Sequence, residues 1–363
     1  MATKEAGNDR KARRKLTHID LEVTRQCNLN CRHCSAANKE RGQPEMSVDQ
    51  IKNVLIVAKS MGLQKVGLTG GEPFLNPEKL KTIADFIVHE LCIPIHIHSN
   101  GTKISYQDAI WLKENNAEIT IPVYGNTASI HEAVTKTKGS FSLTCLGLDR
   151  LIEAQANVCV YVVPMRQNLK AIEPLIKLVF AKGVRHIRVL SLMPTGRAES
   201  QFKKIDLTSL EKQQLNSQLI RLHKNLGLDI KVGFCTSQDF KGLKILDEHD
   251  KCSAAENRIH IDTFGNVFPC TASSGRIMFS AGNLQIVENN LRSLWKESPL
   301  LQFFRAFHEN PPMRCLGCAK HGTCMSGCRV KMSYLYGDIT AADPKCKGPY
   351  KKTNQSQLQK GAL

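Results

Sequence analysis

Strand-like and helix-like segments alternate through the first two thirds of the chain. Strand-like runs fall at 18–23, 65–69, 93–98, 118–123, 158–163 and 186–192, and helix-like segments between them at 47–61, 77–91, 106–116, 140–156 and 169–182. Six such βα units in series predict a parallel sheet with right-handed crossovers and helices outside. Ser47 and Gln50 make a capping box for the first helix. The pattern stops after the sixth strand and its helix, so a partial (β/α)6 TIM-like barrel is expected rather than a closed eight-fold one. Functional groups then belong at the C-terminal ends of the strands. A further helix (209–226) and a short strand (229–234) follow. From about Lys251 elements shorten, cysteines multiply, and Gly265-Asn266 marks a hairpin. The expected division is a basic tail at 1–17, a barrel at 18–235, a cysteine-rich domain at 236–346 and a second basic tail at 347–363.

Composition narrows the class. No apolar run reaches the length of a membrane span, and residues 1–17 lack the apolar core of a secretory signal. A transit peptide is disfavoured because that segment contains Glu5 and Asp9 and no serine. Fourteen cysteines without a secretion signal point to metal or redox chemistry in the cytoplasm rather than to disulfides. The formal charge of +17 is partly terminal: residues 1–17 hold six basic and two acidic side chains, and 347–363 hold four basic and none acidic. These are solvated tails or attract an acidic partner. Aromatic content of 6% with no basic–aromatic interleaving argues against nucleic acid.

The cysteines carry the chemistry. Cys27, Cys31 and Cys34 are spaced C-x3-C-x2-C directly after the first strand. A tetrahedral structural zinc site closes four positions, whereas three thiolates leave one metal position open. Short cysteine runs of this kind hold iron–sulfur clusters. The second strand ends in Gly70-Gly71-Glu72-Pro73, where glycines let backbone approach a ligand, and the third ends in His98-Ser99-Asn100-Gly101. Downstream, Cys252 and Cys270 bracket Gly265 as C-x12-G-x4-C. Cys315, Cys318, Cys324 and Cys328 read C-x2-C-x5-C-x3-C, followed by Cys346. Alone, this second region reads equally as a pair of zinc ribbons.

Together these motifs resemble the radical S-adenosylmethionine (radical SAM) superfamily over roughly residues 18–235, and its SPASM extension over about 252–346. The resemblance implies a [4Fe–4S] cluster on Cys27, Cys31 and Cys34 whose open iron chelates S-adenosylmethionine. It implies that Gly70, Gly71 and Glu72 hold the methionyl amine and that Ser99 and Asn100 contact the ribose or carboxylate. His33 would stand beside the adenine, with backbone near Met193 reading that base. It implies two auxiliary iron–sulfur clusters, one on Cys252, Cys270 and Cys328, the other on Cys315, Cys318, Cys324 and Cys346. The chain departs from the pattern twice. No cysteine lies between Cys252 and Cys270, which leaves a ligand of the first auxiliary cluster open. Cys235 is a candidate for it, or a hydrogen-atom donor, or a core cysteine. Thr271 stands where sulfatase-maturing relatives carry an acidic base, and a hydroxyl does not serve as one at ordinary pKa.

Cys92, Cys145 and Cys159 read as small core residues. His96 and His98 share a strand face and line the barrel or bind metal. Tyr124 and His131 are substrate-side residues or shape a loop. The expected activity is reductive cleavage of S-adenosylmethionine to a 5′-deoxyadenosyl radical that abstracts a substrate hydrogen, with a ribosomally made peptide as substrate. Rivals are a small-molecule epimerase, dehydrogenase or tetrapyrrole side-chain enzyme, and a non-enzymatic metal-binding module. Expected partners are a flavodoxin- or ferredoxin-like electron donor and, because 17 residues precede the first strand, a separate leader-peptide recognition protein.

Overall fold

A computed structural model describes residues 14–35, 44–233, 242–245, 252–274, 276–285, 291–319, 321, 326–343, 346 and 348–349. Cys235, Cys324 and most of both tails lie outside the described residues.

Among the described residues, eleven strands form one sheet. Strands β1 (His18–Thr24), β2 (Lys65–Gly70), β3 (Ile95–His98), β4 (Glu118–Pro122), β5 (Asn157–Val162) and β6 (His186–Val189) lie side by side in chain order, all parallel. Their crossovers carry helices α1 (Val48–Ser60), α2 (Pro77–Asp85, continued by a π turn at Phe86–Glu90), α3 (Tyr106–Glu114), α4 (Ala128–Thr135), α5 (Ser140–Glu153) and α6 (Ile172–Ala181). Both halves of the Ser47–Gln50 box form. Helix α4 occupies a stretch expected to be loop.

The parallel array does not stop at the sixth strand. After α7 (Phe202–Ile205) and α8 (Ser209–Leu226), strands β7 (Asp229–Val232) and β8 (Lys244–Ile245) extend it on one side. On the other side β9 (Arg258–Ile261) pairs in parallel with β1. Strands β10 (Asn266–Phe268) and β11 (Gly282–Asn283) then continue antiparallel. Strand β7 and the β9–β10 hairpin answer the short strand expected at 229–234 and the turn at Gly265-Asn266. Two-residue strands such as β8 and β11 carry too little periodic signal to be read, and the pairing of β9 with β1 is a long-range contact. The cysteine-rich region therefore joins the barrel through backbone hydrogen bonds along β1. Helices α9 (Leu291–Glu297), α10 (Pro299–Glu309) and α11 (Arg329–Tyr336) complete it.

Alternation along the strands has a physical reading. In β1, Ile19, Leu21 and Val23 pack into the main apolar core, as do Ile51, Val54, Leu55 and Ala58 of α1. Each large side chain so buried is worth about 1.5–3 kcal/mol. The opposite face of β1 carries Asp20, Glu22 and Thr24, all buried. Register places Asp20 beside Gly67 and His260, and Arg188 beside Tyr161 and Lys231. Parallel strands covered on both faces are usually apolar throughout. Here the inner face is polar, which suits a lumen that receives a ligand.

Of the three cysteines expected in the core, Cys159 is buried, Cys145 is half-buried and Cys92 is exposed. Cys92 follows the π turn with φ +52. It ends a helix in left-handed backbone at the surface rather than continuing an apolar face.

Candidate active site

The loop after β1 carries Cys27, Cys31 and Cys34 and is gripped by the loops that end five other strands, that of β5 through Gln167 Oε1, which accepts from Arg32 (2.8 Å). At its start Glu45 Oε1 accepts from the Arg25 N–H (2.9 Å) and from Thr24 Oγ1 (3.2 Å), while Lys79 Nζ reaches Glu45 Oε2 at 3.3 Å. Burial opposes ionisation of Glu45, but Arg25's N–H and Lys79 hold its carboxyl below the usual range.

The glycines after β2 pack directly against the cysteine loop. Gly71 N–H donates to Thr24 O (2.8 Å) and Glu72 N–H to Gln26 O (2.7 Å). A Cβ on Gly70 would stand 2.3 Å from Thr24 O, and one on Gly71 2.0 Å from Gln26 O. Both absent side chains make room for the cysteine loop itself. Glu72 is fully buried. Its carboxylate accepts from Ser99 Oγ (2.7 Å), Asn100 N–H (2.6 Å) and Phe74 N–H (3.0 Å). Burial pushes it up to about 6 against those hydrogen bonds. Glu72 and Ser99 thus engage each other, pinning the β3 loop to the β2 loop.

Asn100 turns towards the cysteines. Its Nδ2 donates to Asn28 Oδ1 (3.0 Å) and lies 4.0 Å from Cys27 Sγ, while its Oδ1 accepts from the N–H and Oγ1 of Thr102. Asn28 Nδ2 closes the ring on Thr102 Oγ1 at 2.8 Å. From the β4 side, Thr135 O and Val134 O of α4 accept from the N–H groups of Asn30 and Arg32. From the β6 side, Arg197 Nε donates to Cys31 O (2.7 Å), and Arg32 and Gln201 exchange side-chain hydrogen bonds. Asn28, Glu45, Thr102 and Gln201 escaped sequence reasoning, because only the tertiary fold brings them to the cysteines.

His33 sits edge-on to Tyr124, ring centroids 4.9 Å apart, and Tyr124 neighbours His131 at 5.5 Å. Tyr124 and His131 are buried and His131 Nδ1 accepts from Tyr124 N–H, so both are packed into the fold beside His33. Burial, then Arg197, lowers His33 to about 4, leaving a neutral imidazole. Met193 lies half-buried in the loop beyond β6. Below, His96 and His98 stack at 4.3 Å, and His98 neighbours Tyr161 at 5.5 Å. Asp20 accepts from Arg258 (2.8 and 3.0 Å) and from Thr271 Oγ1 (2.9 Å). Burial works against its ionisation, but Arg258 and His18 hold its carboxyl well below the usual range.

The three thiols fit a cationic cluster. Burial and then the neighbouring Cys34 and Cys27 push the Cys31 thiol up to about 12. Deprotonation against that burial and charge needs a bound metal, which displaces the thiol protons as it binds. Among the described residues, His33 Nδ1 and Thr195 Oγ1 are buried beside this loop without a hydrogen-bond partner, as a site for a polar ligand requires. In the second region, Cys252, Cys270 and Cys328 all pack against the main core, and the Cys270 thiol is pushed up to about 11 by burial and then by Cys328. Cys318 N–H donates to Cys315 O (3.2 Å), and Arg314 ties that turn to Cys346 O (2.7 Å).

A partial parallel barrel with three thiols on its first loop, and a cysteine-rich domain along its first strand, defines an iron–sulfur barrel enzyme. The Radical SAM superfamily profile matches residues 21–179, and the profile of the SPASM iron-sulfur cluster-binding domain matches 252–319. Mycofactocin maturase MftC of Mycobacterium tuberculosis is 25% identical over 337 residues, 90% of this chain and 82% of that protein. An AdoMet-dependent heme synthase of Nitratidesulfovibrio vulgaris is 25% identical over 342 residues, covering 90% and 91%. The fold is shared with Streptococcus suis SuiB bound to precursor peptide SuiA, at TM-score 0.73 and 17% identity over 98% of this chain and 79% of that one. It is also shared with anSMEcpe with bound AdoMet, at TM-score 0.69 and 16% identity over 90% and 93%.

The chain contains a radical SAM domain at 21–179 and a SPASM domain at 252–319. It is an enzyme whose cofactors are S-adenosylmethionine with a [4Fe–4S] cluster, and auxiliary iron–sulfur clusters.

Proposed function

We propose that the protein modifies a ribosomally made peptide by hydrogen abstraction at a C–H bond, in the lumen beneath Cys27, Cys31 and Cys34. When bound, the cluster and S-adenosylmethionine supply a 5′-deoxyadenosyl radical, the chemistry that the cofactor contributes whatever the substrate. The chain's own residues do the rest. Cys27, Cys31 and Cys34 ligate, on a loop locked in place by Gly70, Gly71, Asn28, Thr102 and Gln201. Glu72 holds Ser99 and the Asn100 backbone in register, which leaves the Ser99–Gly101 turn rigid against the methionyl and ribose ends of the ligand. Neutral His33, braced by Tyr124, flanks the adenine, and the loop carrying Met193 closes over it. Cys252, Cys270 and Cys328, and Cys315, Cys318, Cys324 and Cys346, hold the auxiliary clusters in the domain at 236–346. A flavodoxin or ferredoxin supplies the electron, and the basic tails or a separate recognition protein receive the leader.

One observation favours a peptide over a polyanionic tetrapyrrole. The lumen arginines already have carboxylate partners: Arg188 pairs with Glu118, Arg258 with Asp20, and Arg25 with Glu22 and Asp262. A substrate bearing several carboxylates would have to compete with these residues for their arginines. The peptide maturases among the relatives support the same choice.

The test is anaerobic reconstitution with iron and sulfide, reduction with dithionite, and incubation with S-adenosylmethionine and precursor peptides encoded beside the gene. Formation of 5′-deoxyadenosine together with a peptide mass change is expected. Turnover of a tetrapyrrole carboxylate with no peptide change would overturn the substrate assignment. Absence of 5′-deoxyadenosine from an iron-loaded, reduced protein would overturn the radical assignment.

A further inference from the structure

The segment Gly196–Gln201, a 3-10 turn beyond β6, packs on the end of the cysteine loop at Cys34 and Ser35, whereas the Gly70-Gly71 turn packs on its start at Thr24–Gln26. Gly196 has φ +58, and a Cβ there would stand 2.2 Å from Cys34 O and 2.8 Å from Ser35 O. That close approach delivers Arg197. Its backbone N–H donates to Cys34 O at 3.0 Å, and its guanidinium Nε donates to Cys31 O at 2.7 Å. The arginine is locked in turn. Gln201 Nε2 donates to Arg197 O (3.1 Å) and Arg32 O (3.0 Å), and Arg32 returns two hydrogen bonds to Gln201 Oε1 at 3.2 and 2.9 Å. Two of the three cysteines are therefore held through their carbonyls by one residue that carries a permanent positive charge.

We propose that Arg197 is a positioning residue that raises the reduction potential of the iron–sulfur cluster held by Cys27, Cys31 and Cys34. The inference rests on the ligand assignment made above for those cysteines. Reduction adds one electron to a site already made anionic by three thiolates, so a fixed cation beside it favours the reduced form. Net charge and hydrogen bonding around the ligands are among the quantities that set such potentials. The glycine before Arg197 and the glutamine after it exist, on this reading, to hold the charge at a constant distance.

The test uses the full chain with all clusters reconstituted and no peptide. The readout is an electron paramagnetic resonance redox titration, following the signal that changes when S-adenosylmethionine is added. Iron and sulfide are counted in each sample. Arg197→Gln keeps a donor for Cys31 O and removes the charge. It is expected to shift the reduced-to-oxidised ratio at fixed poise at least tenfold towards oxidised, which is about 59 mV for one electron. Arg197→Lys keeps the charge, and Gln201→Leu keeps the arginine while loosening its lock. R197K is expected to titrate within threefold of wild type, and Gln201→Leu to shift in the same direction as R197Q but by less.

Equal potentials in wild type and R197Q overturn the proposal. So does an equal shift in all three variants, which would make Arg197 a clamp without an electrostatic part. An R197Q protein that fails to load iron also counts against it, because a charge acting through the loop leaves the thiolates able to ligate. Failure of the underlying assignment looks different: wild type itself would then show no signal that responds to S-adenosylmethionine.

Discussion

Glu72→Gln separates a carboxylate that touches a ligand from one that holds the fold. Its oxygens accept from one hydroxyl and two backbone N–H groups, those of Phe74 and Asn100. A glutamine amide offers one acceptor oxygen, so in either orientation one of those N–H groups faces an NH2 and is orphaned. A buried donor left so costs about 1–3 kcal/mol. Ionisation acts in the other direction. Burial raises the Glu72 carboxyl from 4.5 to about 6 in the fold. A group whose folded pKa is raised contributes stability that is fully present below the unfolded value and is lost as pH rises through the folded one. The shift of about 1.5 units corresponds to about 2 kcal/mol.

Wild type measured against E72Q should therefore lose about 2 kcal/mol between pH 4 and pH 7, with no further change above. Urea unfolding of cluster-free, S-adenosylmethionine-free protein at both pH values reads this directly. A wild-type minus E72Q difference that is flat with pH, with E72Q as stable as wild type throughout, would refute the reasoning. Glu72 would then be an idle side chain awaiting its ligand.

Other substitutions address the same architecture. Gly71→Ala places a methyl 2.0 Å from Gln26 O, against backbone that cannot yield. Its iron and sulfide content after reconstitution should fall by the share of one cluster, while Gly139→Ala, which strains a left-handed residue (φ +81) but meets nothing within 4 Å, should load normally. Replacing Cys27, Cys31 and Cys34 together by Ala should abolish 5′-deoxyadenosine formation and keep the auxiliary iron, measured by iron analysis and chromatography. Thr271→Asp would set a carboxylate against the Asp20 oxygen that Thr271 now bonds at 2.9 Å. It should lower the thermal midpoint at pH 8 more than at pH 5, where protonation relieves the repulsion; an equal loss at both would show that charge is not the cause.

Much of the barrel was legible because its signals are local. Strands β1 to β6 fall within a few residues of the expected runs, and α8 coincides with the expected helix, since alternation and helical periodicity are properties of a few adjacent residues. Helix α4 was not legible: eight residues, Ala128–Thr135, without a side-chain cap offer too little pattern. Cys92 read as buried because its neighbours are apolar, whereas the helix ends just before it and turns it outwards.

By itself the sequence determined which atoms are available for chemistry. Cysteine spacing is covalent information, and three thiols on one short loop constrain their metal before any fold exists. The tertiary structure decided what those residues press against. Gly70 and Gly71 proved to be space for Thr24 and Gln26, Glu72 a brace for Ser99 and Asn100, and Arg197 a cation over Cys31. Each of these pairings joins residues at least 27 positions apart, and contacts at such separation are set by packing of the whole barrel. Short-range periodicity carries no record of them.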